Sequence, residues 1–517
     1  MVKMSRLLEY PRLLALIAGV FTALAFAPFQ FWILAVLMPA VLFFIWVRTD
    51  ASCFQSGFIY GLGLMGGGVS WLYVSIAQFG DLGWLFPLVI TLGFVMLAAL
   101  YYGLLGWLIG RFVVSDRLRL LLVFPAMWVL IEWFRGWFLT GFPWLQLGYS
   151  QIDSPLAGYA PVLGTLGVSW AVVTTAGALI LLGEKGRMRW FSITLLGVVW
   201  LSGWALTQMN WTEPNGEPLR VALVQGNIPQ AEKWAPEQLT PSLVLYAEQT
   251  KKHFDRDLIV WPETAISAFQ FQVDEAFIQP LEAEVKRQGA DLVFGVVQMD
   301  EAREQYFNAM VVLGNAQRDD YFKQHLVPFA EYLPLKSLLW PLVDLFTIPM
   351  SDFSVGEGKP LMRVGPHLVG MSICYENAFG SEVIQALPEA AYLINASNDA
   401  WFGRSLAPHQ HLQIARMRAL ETGRYLLRST NTGISAIVGP KGELLGKSPL
   451  LELDVLTGEI SPMTGATPFA YTGNLIVLVI MLIVLIVAFP CGHLRFRRCR
   501  SIADRHGRLK AEAISPR

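Results

Sequence analysis

The chain has 517 residues, of which 54% are hydrophobic and only 15% are charged, whereas soluble globular proteins carry about 25% charged residues. This composition excludes an ordinary soluble protein and indicates that the lipid bilayer is part of the solvent. The 39 Lys and Arg residues nearly balance the 40 Asp and Glu residues. A nucleic-acid partner is therefore not expected, because binding to phosphates favours a concentrated positive surface.

A helix needs roughly 20 apolar residues to span the hydrocarbon core, and eight stretches of the sequence are predicted to do so. They are residues 13–26, 30–47, 57–77, 85–110, 120–138, 161–183, 190–208 and 474–490. The first stretch could instead be a cleaved signal peptide, since Ala23, Ala25 and Ala27 resemble a processing site. Retention is favoured because the apolar run continues directly into the second stretch.

Lys and Arg residues concentrate on the cytoplasmic side of membrane proteins, and here they occupy alternate connections. They precede the first stretch and follow the second, fourth, sixth and eighth, whereas loops 27–29, 78–84 and 139–160 contain neither residue. Both termini are therefore predicted inside. The expected organisation is a seven-span region (1–208), an external domain (209–470), an eighth span (471–492) and a basic cytoplasmic tail (493–517). Cys374 is then the only external cysteine, so no disulfide can form within that domain.

From residue 219 onward, short apolar or β-branched runs alternate with amphipathic stretches. Strands are predicted at LRVALVQ, DLIVWPE, DLVFGVV, NAMVVLG, LVGMSIC, AYLINAS, RYLLRST and ISAIVGP. Helices are predicted at 236–253, 273–288, 380–387 and 407–423. The external domain is thus expected to be α/β, with its sheets covered by helices.

Three ionisable residues, Glu263, Lys323 and Cys374, lie at or near the ends of strand-like runs, where side chains from several strands can converge. A thiol becomes nucleophilic when it ionises, and a helix start or a nearby cation such as Lys323 lowers its pKa. Lys323 could equally stabilise an oxyanion, and Glu263 could act as general base. Taken singly, the cysteine could be a small buried hydrophobe and the two charges could be surface residues.

The segments around these residues carry a resemblance. WPET around Glu263, KQHLVPFAEYLP around Lys323 and CYE around Cys374 resemble the three signatures of the nitrilase superfamily. The whole chain resembles its membrane-embedded branch, the bacterial apolipoprotein N-acyltransferases, with further similar segments LVQGNIPQAEKW, NDAWFG and NTGISAIVGPKG. The resemblance implies an αββα sandwich in the periplasm, joined to an eight-span α-helical bundle in the inner membrane. It also implies that Glu263 is the base, Lys323 the transition-state stabiliser and Cys374 the nucleophile.

The resemblance extends to supporting residues and substrates. Glu331 is expected to orient or neutralise Lys323, and Tyr375 and Glu376 to support the nucleophile, whereas Trp234 and Asn308 are candidate substrate contacts. The implied reaction is ping-pong: Cys374 takes an acyl chain from a phospholipid, and the α-amine of a diacylated apolipoprotein resolves the thioester. No cofactor or metal is expected, and the protein is expected to be a monomer. His409 and His411, two residues apart, do not share a helical face as metal ligands usually do.

An apolar stretch at 337–350 (SLLWPLVDLFTIPM) lies between the Lys and Cys segments. Exposed apolar patches of this size usually serve binding, so we hypothesise a mobile lid in which Trp340 and Phe346 contact lipid, aided by an aromatic loop at Phe142 and Trp144. A buried loop is the alternative. Glu132 and Arg135 could line a lipid-entry cleft, or could lie near the interface, where charges cost little.

Two rival functions remain open from the sequence. A membrane-tethered amidase or nitrilase would use the same triad with water as the acceptor, since the thioester is common to both reactions. A non-catalytic receptor or transporter is disfavoured by the intact triad and by the few charges within the spans.

Overall fold

The computed structural model describes residues 10–49, 51–78, 83–112, 114–300, 302–314, 318–334 and 352–488. Within these ranges, the helices of seven or more residues are α1 (Pro11–Ala23), α2 (Leu34–Arg48), α3 (Cys53–Gly68), α4 (Trp71–Ala77), α5 (Leu85–Arg111), α6 (Phe124–Arg135), α7 (Ala160–Leu181), α8 (Arg187–Thr207), α9 (Pro236–Lys252), α10 (Gln279–Gln288), α11 (Ala407–Thr422) and α12 (Leu475–Ala488). Helices α1–α8 and α12 form an apolar helical region, which carries the α/β domain between α8 and α12.

Each of the eight predicted spans overlaps at least one of these helices, and the third overlaps both α3 and α4. By length and composition, three helices in the described ranges could cross a membrane: α5, α8, and the helix Pro155–Leu181 that includes α7. The number rises to four if α3 and α4, which meet at a 56° bend, form one span. Helices α1, α2 and α12 are apolar but shorter. Several apolar helices are therefore present, and their number as complete spans stays a prediction.

Close packing between α1, α3 and α5 depends on small residues. A Cβ added to Gly19 would lie 2.1 Å from the Tyr60 carbonyl oxygen, and one added to Gly106 would lie 2.1 Å from the Cys53 carbonyl oxygen. Small residues allow helix backbones to approach in lipid, where the hydrophobic effect does not drive helix association. The outer faces of α5 and α8 instead expose large apolar side chains, among them Leu97 and Trp190, as lipid-facing helices do.

The strands of the α/β domain are short and form two main sheets. They are β1 (Thr212–Pro214), β2 (Leu219–Gln225), β3 (Leu258–Val260), β4 (Ile266–Phe269), β5 (Asp291–Asp300), β6 (Gln305–Leu313), β7 (Asp320–Phe322), β8 (Leu361–Val364), β9 (His367–Ile373), β10 (Leu393–Ser397), β11 (Leu426–Thr430), β12 (Ala436–Val438), β13 (Leu444–Lys447), β14 (Asp454–Ile460) and β15 (Met463–Gly465). One sheet has the order β14-β2-β3-β5-β6-β7, with β4 on β5, and the other β13-β12-β11-β10-β9-β8. Strands β1 and β15 pair separately.

Side chains that alternate between the two faces of each strand build an αββα sandwich. In β2, Val221 and Leu223 enter a core shared by both sheets, whereas Ala222 and Val224 enter the core beneath α9 and α10. In the other sheet, Leu427 of β11 faces the shared core, and its neighbours face α11. Successive side chains of a strand point to opposite faces of its sheet. Because both faces of each sheet are buried, these strands contain runs of consecutive apolar residues. The predicted α/β fold is confirmed.

Helix α11 lies between the six-stranded sheet and the helical region, and it is buried almost all round. Leu412 packs on the sheet, and Met417 packs against the helical region. Glu421 of this helix finds a partner across the interface, because it accepts hydrogen bonds from the backbone N–H of Thr165 at 2.6 Å and from the Thr165 hydroxyl at 2.5 Å. Within α11, Glu421 also pairs with Arg418 at 2.8 Å. Buried charges persist when they are paired in this way.

The loop that carries Phe142 and Trp144 differs from its predicted role. Trp144 is only 1% exposed, and Arg135 donates hydrogen bonds to the carbonyl oxygens of both residues. Glu132 accepts a hydrogen bond at 2.9 Å from the backbone N–H of Leu147 in the same loop. Two buried charged residues thus hold this loop, and the Trp144 side chain lies inside the protein rather than in lipid.

Candidate active site

Three strand ends bring the predicted triad together. Lys323 directly follows β7 and Glu263 follows β3 in the seven-stranded sheet, whereas Cys374 directly follows β9 in the six-stranded sheet. Glu263 and Lys323 are 6% and 1% exposed, and Cys374 is half-buried. The site therefore lies where the two sheets meet, away from bulk water.

Glu263 and Lys323 belong to one hydrogen-bond network. The Lys323 ammonium donates to Glu331 Oε1 at 2.9 Å and to Glu263 Oε1 at 3.4 Å. The Asn308 amide donates to the same two oxygens, at 3.2 Å and 2.7 Å. Burial disfavours the Lys323 ammonium, but the Glu331 and Glu263 carboxylates outweigh that effect and raise its pKa. Lys323 is consequently a fixed cation, and Glu331 lies where the sequence expected a residue that orients it.

The second oxygen of Glu263 is held by another segment. Glu263 Oε2 accepts a hydrogen bond from the backbone N–H of Asn398 at 2.8 Å. Donors on both oxygens fix the carboxylate in one orientation, as a general base requires. Asn308, expected as a substrate contact, instead bonds directly to the two carboxylates.

Cys374 occupies a tight turn at the end of β9. Its φ of 53° lies in the left-handed region, which is uncommon and strained for a residue other than glycine. The Cys374 carbonyl oxygen is close to two donors, His411 Nε2 at 3.2 Å and Asn395 Nδ2 at 3.4 Å. These contacts stabilise the turn that presents the thiol.

The surroundings of the Cys374 thiol favour its neutral form. Burial, and then the Glu263 carboxylate, raise the pKa of Cys374 to about 12, and Lys323 opposes this only in part. Lys323 acts in the direction that the sequence suggested, because it lowers the thiol pKa, but burial and the Glu263 carboxylate outweigh it. A neutral thiol beside a fixed carboxylate requires removal of its proton as it attacks.

Glu376 joins the Lys segment to the Cys strand. Its Oε1 accepts from the backbone N–H groups of Gln324 at 2.6 Å and His325 at 3.0 Å, and its Oε2 accepts from that of Ile373 at 2.6 Å. The Tyr321 hydroxyl donates to both oxygens at 3.0 Å. Burial raises the pKa of Glu376 to about 7, whereas the backbone donors favour its ionised form. Its predicted supporting role is thus given a geometric basis.

Tyr375 connects the nucleophile turn to the helical region. Its hydroxyl donates to the Gly141 carbonyl oxygen at 2.9 Å, and its ring stacks on Trp144 with centroids 6.4 Å apart. The residue beside the thiol is therefore in direct contact with the loop between α6 and α7.

Sequence reasoning did not single out a buried cluster behind Cys374. Arg428 donates to Asp399 Oδ2 at 2.7 Å and approaches His411 Nδ1 at 3.0 Å. Burial raises the pKa of Asp399, but Arg428 and His411 outweigh burial and hold this pKa well below its usual range. Burial and Arg428 lower the pKa of His411, which Asp399 partly opposes. His411 Nδ1 lies 3.1 Å from Asp399 Oδ1, and its Nε2 lies 3.2 Å from the Cys374 carbonyl oxygen. Asp399 lies in the quoted segment NDAWFG, which was the available signal.

Lys233 was also missed, although it lies in the quoted segment LVQGNIPQAEKW. It is 2% exposed, and its ammonium donates to the Thr264 hydroxyl at 2.7 Å and the Glu263 carbonyl oxygen at 3.2 Å. Burial lowers the pKa of Lys233 to about 8, although Glu263 and Cys374 partly oppose this. Thr264 has a φ of 44°, so Lys233 holds a strained turn that carries the predicted base.

The remaining predicted contacts are not brought into this network. Trp234 is about half exposed (51%). Trp340, Phe346 and the proposed lid at 337–350 lie outside the described residues. Among the residues that the structure describes, no group of three or more His, Cys, Asp or Glu side chains could hold a metal ion.

Comparisons with known proteins agree with this architecture. The chain matches the family model of the apolipoprotein N-acyltransferase N-terminal domain over residues 18–178 and that of the carbon-nitrogen hydrolases over residues 220–469. The α/β domain is thus a carbon-nitrogen hydrolase fold, attached to a region of apolar helices. Apolipoprotein N-acyltransferases of three bacteria are similar along most of their length. They are those of Methylococcus capsulatus (46% identity, 89% of this chain and 92% of the relative), Nitrosomonas europaea (42%, 90% and 95%) and Coxiella burnetii (40%, 92% and 99%).

The chain belongs to the apolipoprotein N-acyltransferase family, enzymes of the carbon-nitrogen hydrolase superfamily. The resemblance stated from the sequence motifs is confirmed, and the hydrolase alternative is not favoured.

Proposed function

We propose that the protein transfers a fatty acyl chain from a phospholipid, through a thioester on Cys374, to the N-terminal amine of a diacylated apolipoprotein. Family membership supports the acceptor. One structural observation supports the chemistry: Lys323 bonds to Glu263 at 3.4 Å, and Glu376 joins the residues next to Lys323 and Cys374. The nucleophile turn also contacts the helical region through Tyr375, which supports a lipid donor.

In the first half-reaction, Glu263 accepts the thiol proton as the Cys374 sulfur attacks the ester carbonyl of the phospholipid. The Lys323 ammonium stabilises the oxyanion that forms, a role in which preorganised donors contribute most. The carbon–oxygen bond then breaks, and the leaving alkoxide takes the proton from Glu263. Lysophospholipid departs, and the acyl chain remains on Cys374.

In the second half-reaction, the neutral α-amine of the lipoprotein attacks the thioester carbonyl. Glu263 accepts a proton from the amine and returns it to the sulfur as the carbon–sulfur bond breaks. The product is an amide, and the enzyme regains its neutral thiol. Glu331 and Asn308 keep the base and the cation in place through both steps.

For the membrane arrangement, we propose a monomer in the bacterial inner membrane with eight spans and both termini in the cytoplasm. The catalytic domain, residues 209–470, then lies in the periplasm between a seven-span region (1–208) and an eighth span (471–492), followed by a cytoplasmic tail (493–517). The alternation of Lys and Arg between connections supports this orientation. A fluorescent protein fused to the C-terminus should fold and fluoresce; absence of fluorescence with full-length expression would contradict a cytoplasmic tail.

The transfer is tested by incubating the purified protein with phosphatidylethanolamine in mixed micelles and a diacylated lipopeptide. We expect triacylated lipopeptide and lysophospholipid in equal amounts, measured by mass spectrometry. Release of free fatty acid without triacylated product would contradict transfer and indicate hydrolysis. Cys374→Ala, which removes the proposed nucleophile, is the negative control.

A further inference from the structure

Gln410, in the first turn of α11, makes all its described side-chain hydrogen bonds to the helical region. It is 3% exposed. Its Oε1 accepts from the indole N–H groups of Trp144 at 2.7 Å and Trp71 at 3.1 Å, and its Nε2 donates to the Gly68 carbonyl oxygen at 2.9 Å. One side chain of the catalytic domain thus satisfies three polar groups of the other region.

These partners lie at a break in a helix. Helix α3 ends at Gly68 and α4 begins at Trp71, with a bend of 56° between them. Carbonyl groups at a helix end lack intrahelical partners, and in apolar surroundings they must find others. Gln410 supplies a donor to one of them, so the break and the catalytic domain are held in a fixed relation.

The next residue along the chain contacts the nucleophile. His411 donates from Nε2 to the Cys374 carbonyl oxygen at 3.2 Å, and its ring lies 5.6 Å from that of Trp144. Two consecutive residues of one buried helix therefore reach the helix break and the strained turn that presents the thiol.

We propose that Gln410 is a positioning residue that sets Cys374 relative to the α3–α4 break, and so relative to the ester of a membrane-embedded acyl donor. The inference rests on the proposed function, because it concerns how that donor meets the thiol. In this proposal the helical region positions the ester of the lipid donor, and the sheets position the thiol. The reaction therefore requires correct placement of the ester relative to the thiol, in addition to a reactive thiol. A misplacement of about 1 Å can cost about 100-fold in rate.

The same helix offers a matched control in Gln413. It too is 3% exposed and bonds to the helical region, accepting from the Ala27 backbone N–H at 3.2 Å. It does not bond to the α3–α4 break, and its neighbours make no hydrogen bond to Cys374 among those described. Gln413→Leu therefore reproduces the loss of a buried amide at this interface without disturbing the proposed linkage.

The experiment compares Gln410→Leu with Gln413→Leu in two reactions of the full-length protein. The first is acyl-enzyme formation from phosphatidylethanolamine in mixed micelles, and the second is hydrolysis of p-nitrophenyl acetate, a small water-soluble ester. We expect Gln410→Leu to slow the lipid reaction about 10- to 100-fold and to leave the small-ester reaction at the wild-type rate. Gln413→Leu should leave both unchanged, and His411→Asn should slow both because it loosens the nucleophile turn.

The proposal is overturned if Gln410→Leu loads lipid at the wild-type rate, or if it loses both reactions in parallel. Should that variant fail to fold, Trp71→Phe removes one of the three bonds and keeps an aromatic ring at this position. It should slow the lipid reaction by a smaller factor and leave the small-ester reaction unchanged, and parallel losses of both reactions would overturn the proposal. If the wild-type protein cleaves p-nitrophenyl acetate but takes no acyl chain from phospholipid, the proposed function itself fails, and this inference fails with it.

Discussion

Replacing Glu376 by Gln tests whether the Lys segment and the Cys strand are held together by one carboxylate. Glutamine keeps a single acceptor oxygen, so either Ile373 or the pair Gln324 and His325 faces an NH₂ group instead of an oxygen. A buried donor left without an acceptor costs about 1–3 kcal/mol, and bonds to a charged acceptor are worth about 1.5–3 kcal/mol against about 1 kcal/mol for neutral ones. We therefore expect a loss of about 2–5 kcal/mol in the free energy of unfolding.

The same change should displace Cys374 relative to Lys323, because Glu376 bonds to the residues beside both. We expect acyl-enzyme formation to slow by about 100-fold, the cost of a displacement of about 1 Å. Thermal unfolding in detergent and mass spectrometry of the acyl-enzyme measure the two effects. Tyr321→Phe is the control, since it removes one hydroxyl donor, leaves every backbone donor satisfied and should cost about 1.5 kcal/mol, the lower end for a bond to a charged acceptor. The reasoning is refuted if Glu376→Gln matches the wild type in both assays, or if Tyr321→Phe costs as much.

Two further predictions concern charges near the thiol. The Glu263 carboxylate raises the pKa of Cys374 and the Lys323 cation lowers it, so Glu263→Gln should move the pH profile of iodoacetamide alkylation to lower pH and Lys323→Met should move it to higher pH. Both variants should abolish acyl transfer. Shifts of the two profiles in the same direction would contradict the assigned roles. Lys233→Met removes both bonds that hold the strained Thr264 turn, so acyl-enzyme formation should slow by about 10- to 100-fold. An unchanged rate would show that the turn does not depend on the Lys233 ammonium.

Local patterns predicted much of the α/β domain. The run LRVALVQ became β2, and the amphipathic stretches at 236–253 and 407–423 became α9 and α11, because alternation and helical periodicity are encoded by neighbouring residues. The triad positions followed from motifs at strand ends. Apolar length, in contrast, predicted eight spans, of which the described residues show three or four by length and composition; the number of complete spans stays a prediction.

The sequence patterns did not predict burial that depends on contacts between residues distant in sequence. Trp144 was expected at the lipid interface, yet it is buried against Tyr375 and His411, a contact that joins residues more than 200 positions apart. The net shift of the Cys374 pKa could not be predicted for the same reason: the sequence indicated a nearby cation, but not the burial and the carboxylates that outweigh it. Such balances depend on three-dimensional proximity, which periodicity does not encode.

Mass spectrometry of the intact protein after exposure to a phospholipid of defined acyl chains tests the central claim most directly. A thioester on Cys374 predicts a mass gain of one acyl chain, mapped to the Cys374 peptide, removed by hydroxylamine and lost on addition of a diacylated lipopeptide. Cys53→Ala should retain the adduct and Cys374→Ala should lose it. An adduct that persists in Cys374→Ala, or no adduct while triacylated product still forms, would contradict the account.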